Sequence, residues 1–185
     1  MSGAWKPRTL HILLTILCNF YGMPNYVRPK VSSATIFFTV TLADRGSDLL
    51  VREIDKLRDA FVRTMAERAF AINAIVVLPD HLHTVITLPE DDDDYATRWR
   101  IIKARFSRQV GLGNLRASHL KRGERGIWQR RYWEHHIRDK QDYRAHMEYC
   151  WKNPVKHGLV EHPSDWPYSS IHRDLKLGTA PKEWA

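Results

Sequence analysis

The sequence predicts an α+β domain built on one antiparallel sheet, and three features indicate this class. Two segments, residues 48–69 and 90–113, carry apolar side chains at helical spacing. Apolar, β-branched runs of strand length lie before, between and after these segments. Two of the runs meet at Pro79 and Asp80 with no room for a helix, so we expect them to pair as an antiparallel hairpin.

The first strand comes from "SATIFFTVTLADRGS", in which apolar and mostly polar positions alternate with a period of two. A turn at residues 44–46 closes it. The segment that follows has apolar residues at steps of three or four, which predicts a long amphipathic helix. Those apolar residues are Leu50, Ile54, Leu57, Phe61 and Met65.

The hairpin strands are "FAINAIVVLP" and "HLHTVITLP", and a second helix follows them. Four aspartates, residues 91–94, suit the N-terminus of this helix, and we favour that role over a metal site. One face of the helix carries Trp99, Ile102, Phe106 and Val110. We expect this face to be buried.

The last two elements follow a basic, glycine-rich loop at residues 111–126. "IWQRRYWEHHIR" is typical of a strand, and "DKQDYRAHMEYCWKN" predicts a third helix that ends before Pro154. The order βαββαβ with an appended helix is the ferredoxin-like arrangement, with helices on one face of the sheet. The first and third strands are then central.

Composition fits one domain of 185 residues, 43% of them hydrophobic. We expect a domain at residues 31–160, a C-terminal tail at 161–185 packed on it, and an extension at 1–30. Within that extension, we favour a misplaced start codon as the origin of the residues before Met23, because the globular pattern begins only after it. The apolar stretch "LHILLTILC" is too short to span a bilayer, so no membrane contact is expected.

Net charge and cysteine content indicate the class of binding partner and the cellular location. A net charge of +8 favours a polyanionic partner such as nucleic acid. Cys18 and Cys150 lie far apart, which supports neither a disulfide framework nor a cysteine zinc site, and we expect a reducing, cytoplasmic location.

Two histidines, His81 and His83, lie one residue apart in the third strand. Side chains alternate along a strand, so both imidazoles point to the same face, about 6–7 Å apart. The helices cover the opposite face, which leaves the histidine face free of them. The two histidines could therefore bind one metal ion together. If no other residue supported that interpretation, two surface histidines without a function would be the simpler one.

The third helix carries Tyr149 and Asn153 one turn apart on one face. The Asn153 carbonyl oxygen suits a hard metal ion, and the Tyr149 hydroxyl is a candidate nucleophile. Their structural alternatives are a helix end and a core aromatic. The rival nucleophile is Tyr143, but its neighbour one turn on is Met147, which is no ligand for magnesium.

Three more histidines lie nearby. His146 shares the helix face of Tyr149 and could contact DNA or orient the tyrosine. His135 and His136 are adjacent on a strand, so they face opposite ways and cannot both join the metal.

Positive charge is concentrated between Tyr95 and Lys140, where 13 Lys and Arg stand against 3 Asp and Glu. Cations mixed with aromatic residues suit phosphate contact and base stacking. A solvated helix face and a core tryptophan are the alternatives. The candidate DNA contacts are Arg98, Arg100, Lys103, Arg105, Arg108, Lys121, Arg122, Arg125, Trp128, Arg130 and Arg131.

Three strings together resemble the REP-associated tyrosine transposases, relatives of the single-tyrosine HUH transposases of insertion sequences. They are "LPDHLHTVITLP", "WQRRYWEHHIRDKQDYRAHMEYCWKNPVKHGLV" and "SDWPYSSIHRD". The resemblance runs from about Ser33 to the C-terminus. It maps the His-hydrophobic-His motif onto His81, Leu82 and His83, the catalytic tyrosine onto Tyr149, and the third metal ligand onto Asn153. Insertion-sequence relatives carry Gln at that last position.

The resemblance implies a single-strand DNA endonuclease and strand transferase. It would act on hairpins of repeated extragenic palindromes through a 5′-phosphotyrosine, using magnesium or manganese and no nucleotide cofactor. It favours a monomer over a dimer. The alternative function is a DNA-hairpin-binding protein that has kept the fold and lost the chemistry.

Overall fold

The computed structural model describes residues 31–113, 115, 119 and 121–184. Its sheet has four antiparallel strands in the order β2-β3-β1-β4. The strands are β1 (Thr35–Thr41), β2 (Ala71–Val77), β3 (His81–Thr87) and β4 (Trp133–His136). The predicted central position of β1 and β3 is confirmed. The extension predicted for residues 1–30 lies outside the described residues.

The helices complete the predicted βαββαβ order, which is confirmed together with the α+β class. They are α1 (Leu49–Arg52), α2 (Ile54–Glu67), α3 (Tyr95–Val110), α4 (Lys140–Lys156) and α5 (Ile171–Lys176). The long first helix of the prediction is interrupted at Glu53, which separates α1 from α2. No helix in the described part of the chain is both long and apolar enough to cross a bilayer.

One face of the sheet packs against α2 and α3. Alternate residues of β1, such as Ile36 and Phe38, and Leu82 of β3 point into this main core. Trp99 of α3 contacts Phe38 and Phe61 at ring-centroid distances of 5.4 and 5.8 Å. The alternation therefore buries the even-numbered residues of β1 and β3 beneath these two helices.

The opposite face, which carries the histidines, packs against α4. Phe37 and Val85 form a second core with Met147, Cys150 and Trp151 of that helix. The prediction that no helix covers this face is therefore wrong, although α2 and α3 do lie on the other face as expected. The appended helix covers it, and this is how α4 comes to lie over the two histidines.

Helix α4 does not end before Pro154, contrary to the prediction. It continues to Lys156 with Pro154 inside it. Proline lacks only its own backbone N–H, and it sits in the last turn, where few hydrogen bonds remain to be broken. The turn closes when the backbone N–H of His157 donates to the Asn153 carbonyl at 3.0 Å. Asn153 is thus inside the helix and does not terminate it.

The C-terminal segment packs along β2 and α4. The backbone N–H of Ser170 donates to the Ile75 carbonyl, and Val77 donates to Tyr168, so the segment covers the open edge of β2. The buried carboxylate of Asp174 accepts a hydrogen bond from the Trp151 indole at 2.9 Å. These contacts hold α4 from the side away from the main core.

Arg98 was expected to contact DNA, and the structure corrects this. Only 2% of the residue is exposed. Its guanidinium donates to both carboxylate oxygens of Asp92, at 2.9 and 2.6 Å, and to the carbonyls of Ala69 and Asp94. The Asp94 side chain caps α3 by accepting from the Thr97 backbone N–H. Both aspartates therefore build the start of α3, which agrees with the favoured interpretation of the acidic run.

Replacing Arg98 by alanine is expected to lower the free energy of unfolding by about 3 kcal/mol, because it strands buried hydrogen-bond acceptors and an ion-pair partner. The control is Arg100→Ala, an exposed position on the same helix, where the change should stay within about 0.5 kcal/mol. Urea unfolding of both variants measures the difference. Equal stabilities would contradict a structural role for Arg98.

Candidate active site

His81 and His83 point to the face of the sheet that α4 covers. Their ring centroids are 4.9 Å apart and nearly perpendicular, and both side chains are buried. The alternation of β3 places them together, as the sequence pattern predicted. The two imidazoles are close enough to serve one ligand.

Each imidazole is held by a hydrogen bond at Nδ1. His81 Nδ1 lies 2.6 Å from the Asp80 carboxylate, whose other oxygen is 3.0 Å from Arg45 Nε. A carboxylate only accepts, so Nδ1 of His81 carries the proton. His83 Nδ1 lies 2.8 Å from the hydroxyl of Thr39, its partner residue on β1. A hydroxyl can accept this bond, which leaves the Nε2 lone pairs of both rings available to a ligand.

Burial favours the neutral form of both histidines. It lowers the pKa of His81, although the hydrogen bond and charge of Asp80 oppose this. Burial lowers the pKa of His83 well below its usual value, and the neighbouring His81 adds to the effect. Neutral imidazole is the form that binds metal ions.

Helix α4 contacts the histidines through Tyr149 and, two turns further on, through His157, and Asn153 stands between these two residues on the same helix face. The Tyr149 ring lies 5.0 Å from the His83 ring, edge to face. Asn153 is 1% exposed, and neither its amide oxygen nor its amide nitrogen has a hydrogen-bond partner among the described residues. His83 Nε2 is likewise buried without a hydrogen-bond partner among the described residues. A buried polar atom without a hydrogen-bond partner lowers the stability of the fold by about 1–3 kcal/mol. His83 Nε2 and the Asn153 amide therefore suit a ligand that binds imidazole and amide groups, such as a divalent metal ion.

The two candidate nucleophiles lie in different surroundings. Tyr149 contacts His83 and Phe37, and Lys156 Nζ lies 4.7 Å above its ring. The hydroxyl of Tyr143 instead accepts a hydrogen bond from the Asn73 amide at 3.1 Å. Tyr149 is therefore the tyrosine that the fold brings into ring contact with the histidine pair.

A second group of ligand-type side chains lies at the start of α4. His135, Asp142 and His146 have ligand atoms within 4.8 Å of one another and could hold a metal ion. However, the Asp142 carboxylate already accepts hydrogen bonds from His135 and from Arg138. Nδ1 of His146 donates to the Asp142 carbonyl. The Asp142 carboxylate of this cluster is thus already engaged, whereas His83 Nε2 and the Asn153 amide have no hydrogen-bond partner among the described residues.

The cluster joins β4 to α4. Burial raises the pKa of the Asp142 carboxyl, but the hydrogen bonds from His135 and Arg138 outweigh it and lower the pKa to about 2. His146 also stacks on His135 and contacts Phe37, each at a centroid distance of 4.7 Å. The Phe37 ring, which contacts both His146 and Tyr149, therefore connects these two residues.

The basic side chains divide into buried and exposed sets. Trp128 is buried against Phe106, so it is a core aromatic and not a stacking platform, which corrects that expectation. Arg105 is mostly buried and binds Thr64 and Glu67, and Lys103 donates to the Gln129 carbonyl. The remaining candidates are exposed, and they are Arg100, Arg108, Lys121, Arg122, Arg125, Arg130 and Arg131.

Sequence reasoning missed four residues beside the histidines. Asp80 and Thr39 orient the rings, and Arg45 holds Asp80. His157 contacts His81 at a ring-centroid distance of 5.2 Å. The signal for His157 was available, because it continues the four-residue spacing of Tyr149 and Asn153. The signal for Thr39 was not, since it depends on the register of β1 against β3.

Comparison with known proteins finds relatives that match most of this chain. No protein-family model matches the chain. A REP-associated tyrosine transposase of Escherichia coli (strain K12) is 47% identical over 163 residues, which cover 88% of this chain and 92% of the relative. A Haemophilus influenzae relative of the same description is 44% identical over 164 residues, covering 88% and 93%.

A solved structure of a REP-associated tyrosine transposase bound to a REP hairpin also superposes on this chain. Its TM-score is 0.78 and its sequence identity 45%, and the match covers 88% of this chain and 92% of that one.

Replacing Asp142 by asparagine is expected to lower the free energy of unfolding by about 2 kcal/mol at pH 7, the usual worth of hydrogen bonds to a charged group. Because the folded-state pKa lies below the ordinary 3.8, this contribution is complete above about pH 5 and is lost as the pH falls toward 2.

Urea unfolding of Asp142→Asn and of the parent protein at pH 7 and pH 3 measures the effect. The difference should shrink at the lower pH. Asp55→Asn, at an exposed helix position, serves as the control. A difference that stays constant with pH would contradict the assignment.

Proposed function

This chain belongs to the REP-associated tyrosine transposases, and from that premise we propose that it cuts and rejoins single-stranded DNA through Tyr149. The DNA would be a hairpin of a repeated extragenic palindrome, because the related protein of known structure is bound to a REP hairpin. The observation that carries the proposal is that His83 Nε2 and the Asn153 amide are buried without a hydrogen-bond partner in the described part of the chain, while the Tyr149 ring lies against His83.

His81, His83 and Asn153 would hold a divalent ion, magnesium or manganese. When bound, the ion would supply positive charge to a phosphate oxygen and so stabilise the charge that develops during transfer. The protein's own contribution is orientation. Asp80 and Thr39 bind the two Nδ1 atoms and so leave both Nε2 atoms available to a ligand, and burial lowers the pKa of both imidazoles, which favours their neutral form.

In the transfer itself, the phenolic oxygen of Tyr149 forms a bond to phosphorus while the bond between phosphorus and the 3′-oxygen breaks. The electron pair of the broken bond leaves with the 3′-oxygen, which takes up a proton, and the phenol loses one. The products are a 5′-phosphotyrosine and a free 3′-hydroxyl. Because the ester keeps the energy of the phosphodiester, the reverse attack rejoins a strand without a nucleotide cofactor.

The exposed cations would bind the DNA backbone. Arg100 and Arg108 lie on the surface of α3, and Lys121, Arg122 and Arg125 lie in the loop that follows. Gly113 and Gly126, at the two ends of this loop, approach each other closely, because a Cβ on Gly113 would lie 2.6 Å from the carbonyl oxygen of Gly126. Such contacts are independent of sequence, so they would set affinity and salt dependence and leave the choice of hairpin to other contacts. We place this activity in the cytoplasm.

A 3′-labelled hairpin oligonucleotide with its flanking sequence is expected to form a covalent adduct with the protein in the presence of Mg²⁺ or Mn²⁺. Tyr149→Phe should reduce the adduct at least about 1,000-fold, because the nucleophilic oxygen is removed. Tyr143→Phe is the matched control and should retain it, since it loses only the bond to Asn73. Denaturing gel electrophoresis separates adduct from free DNA.

Two results would count against this function. An adduct that survives Tyr149→Phe would move the nucleophile to another residue. Tight, salt-sensitive hairpin binding without cleavage under any divalent ion would instead support the non-catalytic alternative.

We also propose that one chain forms a whole site, and hence that a monomer is sufficient. The supporting observation is that Tyr149 lies against His83 of the same chain. An exchange of α4 between two chains is therefore not needed to assemble the site.

A mixing experiment tests this arrangement. His83→Ala and Tyr149→Phe should each abolish the adduct, and an equimolar mixture of the two should remain inactive. If two chains shared α4, the mixture would contain some complete sites and would recover up to about one quarter of the parent activity, from random pairing. Light scattering on the same samples gives the mass in solution.

A further inference from the structure

A cavity of about 330 Å³ opens beside His81, on the side away from Tyr149. Leu78, Pro79 and Leu159 contribute apolar walls, and Arg45, Asp80 and His157 contribute polar ones. The volume lies within the range of about 300–1,000 Å³ that is usual for small-ligand sites. Tyr149, His83 and Asn153 do not line this space, and His81 is the proposed metal ligand that does.

His157 lies at the opposite end of the site from the nucleophile. Tyr149, Asn153 and His157 follow each other at four-residue steps, so about 12 Å of helix axis separates the first from the last. Tyr149 contacts His83, and His157 contacts His81. His81, His83 and Asn153 therefore lie between the two.

This order matters because of the geometry of phosphoryl transfer. The attacking and the leaving oxygen lie roughly in line, on opposite sides of phosphorus. A phosphate held at His81, His83 and Asn153, and attacked from the Tyr149 side, would have its leaving oxygen directed toward His157 and the cavity.

We propose that the cavity binds the nucleoside whose 3′-oxygen leaves during cleavage, and that His157 donates a hydrogen bond to that oxygen. This rests on the function proposed above and adds a binding site for the free 3′-end. Retaining that end beside the phosphotyrosine is what allows the strand to be rejoined, since the 3′-hydroxyl is the attacking group of the reverse step.

The chemistry of the cavity suits this occupant. Its apolar walls match the faces of a sugar and a base, and the exposed half of the Arg45 side chain lies at the rim, where a further phosphate of the same strand would pass. The His157 ring makes no hydrogen bond to the residues that the structure describes. It is therefore available to an oxygen of the substrate.

Photocrosslinking locates the two sides of the broken bond. The bond is first mapped with the parent protein through its covalent adduct. The full chain carrying Tyr149→Phe, which leaves the strand intact, is then irradiated with hairpins that carry 4-thiothymidine immediately 5′ or immediately 3′ of the mapped bond, and the crosslinked peptides are identified by mass spectrometry.

The 5′ probe, whose 3′-oxygen is the leaving group, is expected to react within residues 45–48 or 157–159, and the 3′ probe is not. Reaction of the 3′ probe there, or of neither probe, would overturn the proposal. If the parent protein forms the adduct on Tyr149 but the crosslinking gives either of these results, only the proposed role of the cavity is overturned. Absence of any adduct with the parent protein would overturn the proposed function and this inference with it.

The hydrogen bond from His157 has a separate test. His157→Ala should slow cleavage of the ordinary hairpin by about 100-fold, as for the loss of one donor to a developing oxyanion. It should slow cleavage of a hairpin with sulfur in place of the 3′-oxygen by less than about threefold, because a thiolate leaves without such help. His162→Ala, an exposed histidine outside the site, is the control. An equal loss with both substrates would overturn the assignment to His157.

Discussion

Phe37 lies at the centre of the sheet face that α4 covers, and its ring connects the parts of the candidate site. It is 2% exposed and contacts His83, His146 and Tyr149 at centroid distances of 5.6, 4.7 and 5.7 Å. Because β1 is a central strand, this ring is held by strands on both sides. The packing of α4 on Phe37 thus sets how far Tyr149 stands from the histidines, and the main core on the other face keeps β1 in place.

A sheet that is covered on both faces usually places only apolar side chains between the layers. Here the second layer also buries His81, His83 and Asn153, and the amide of Asn153 has no partner within the described residues. The well-satisfied contacts around it offset this cost. They include the bond from Trp151 to Asp174 and the packing of Met147 and Cys150 against the sheet. The site is therefore destabilising locally and is held by its surroundings, as is common at functional sites.

The cations illustrate why charge density alone is a weak guide to binding. Arg98 and Arg105 lie in the basic segment, yet their guanidinium groups serve the junction of α2 and α3. Arg100 and Arg108 on the same helix are exposed. Helical periodicity distributes neighbouring arginines between a buried and an exposed face, so a count of charges includes residues with opposite roles.

The order βαββαβ, the common face of His81 and His83, and the one-turn spacing of Tyr149 and Asn153 could all be predicted from the sequence. All three follow from the repeat of the backbone, a period of two for a strand and of 3.6 for a helix, which is local and readable along the chain. Three other features are visible only in the folded chain: α4 covers the histidine face, Thr39 and Asp80 orient the rings, and His157 adjoins a cavity. Those features join residues far apart in the chain, and they depend on strand register and on how whole elements pack, which no local repeat encodes.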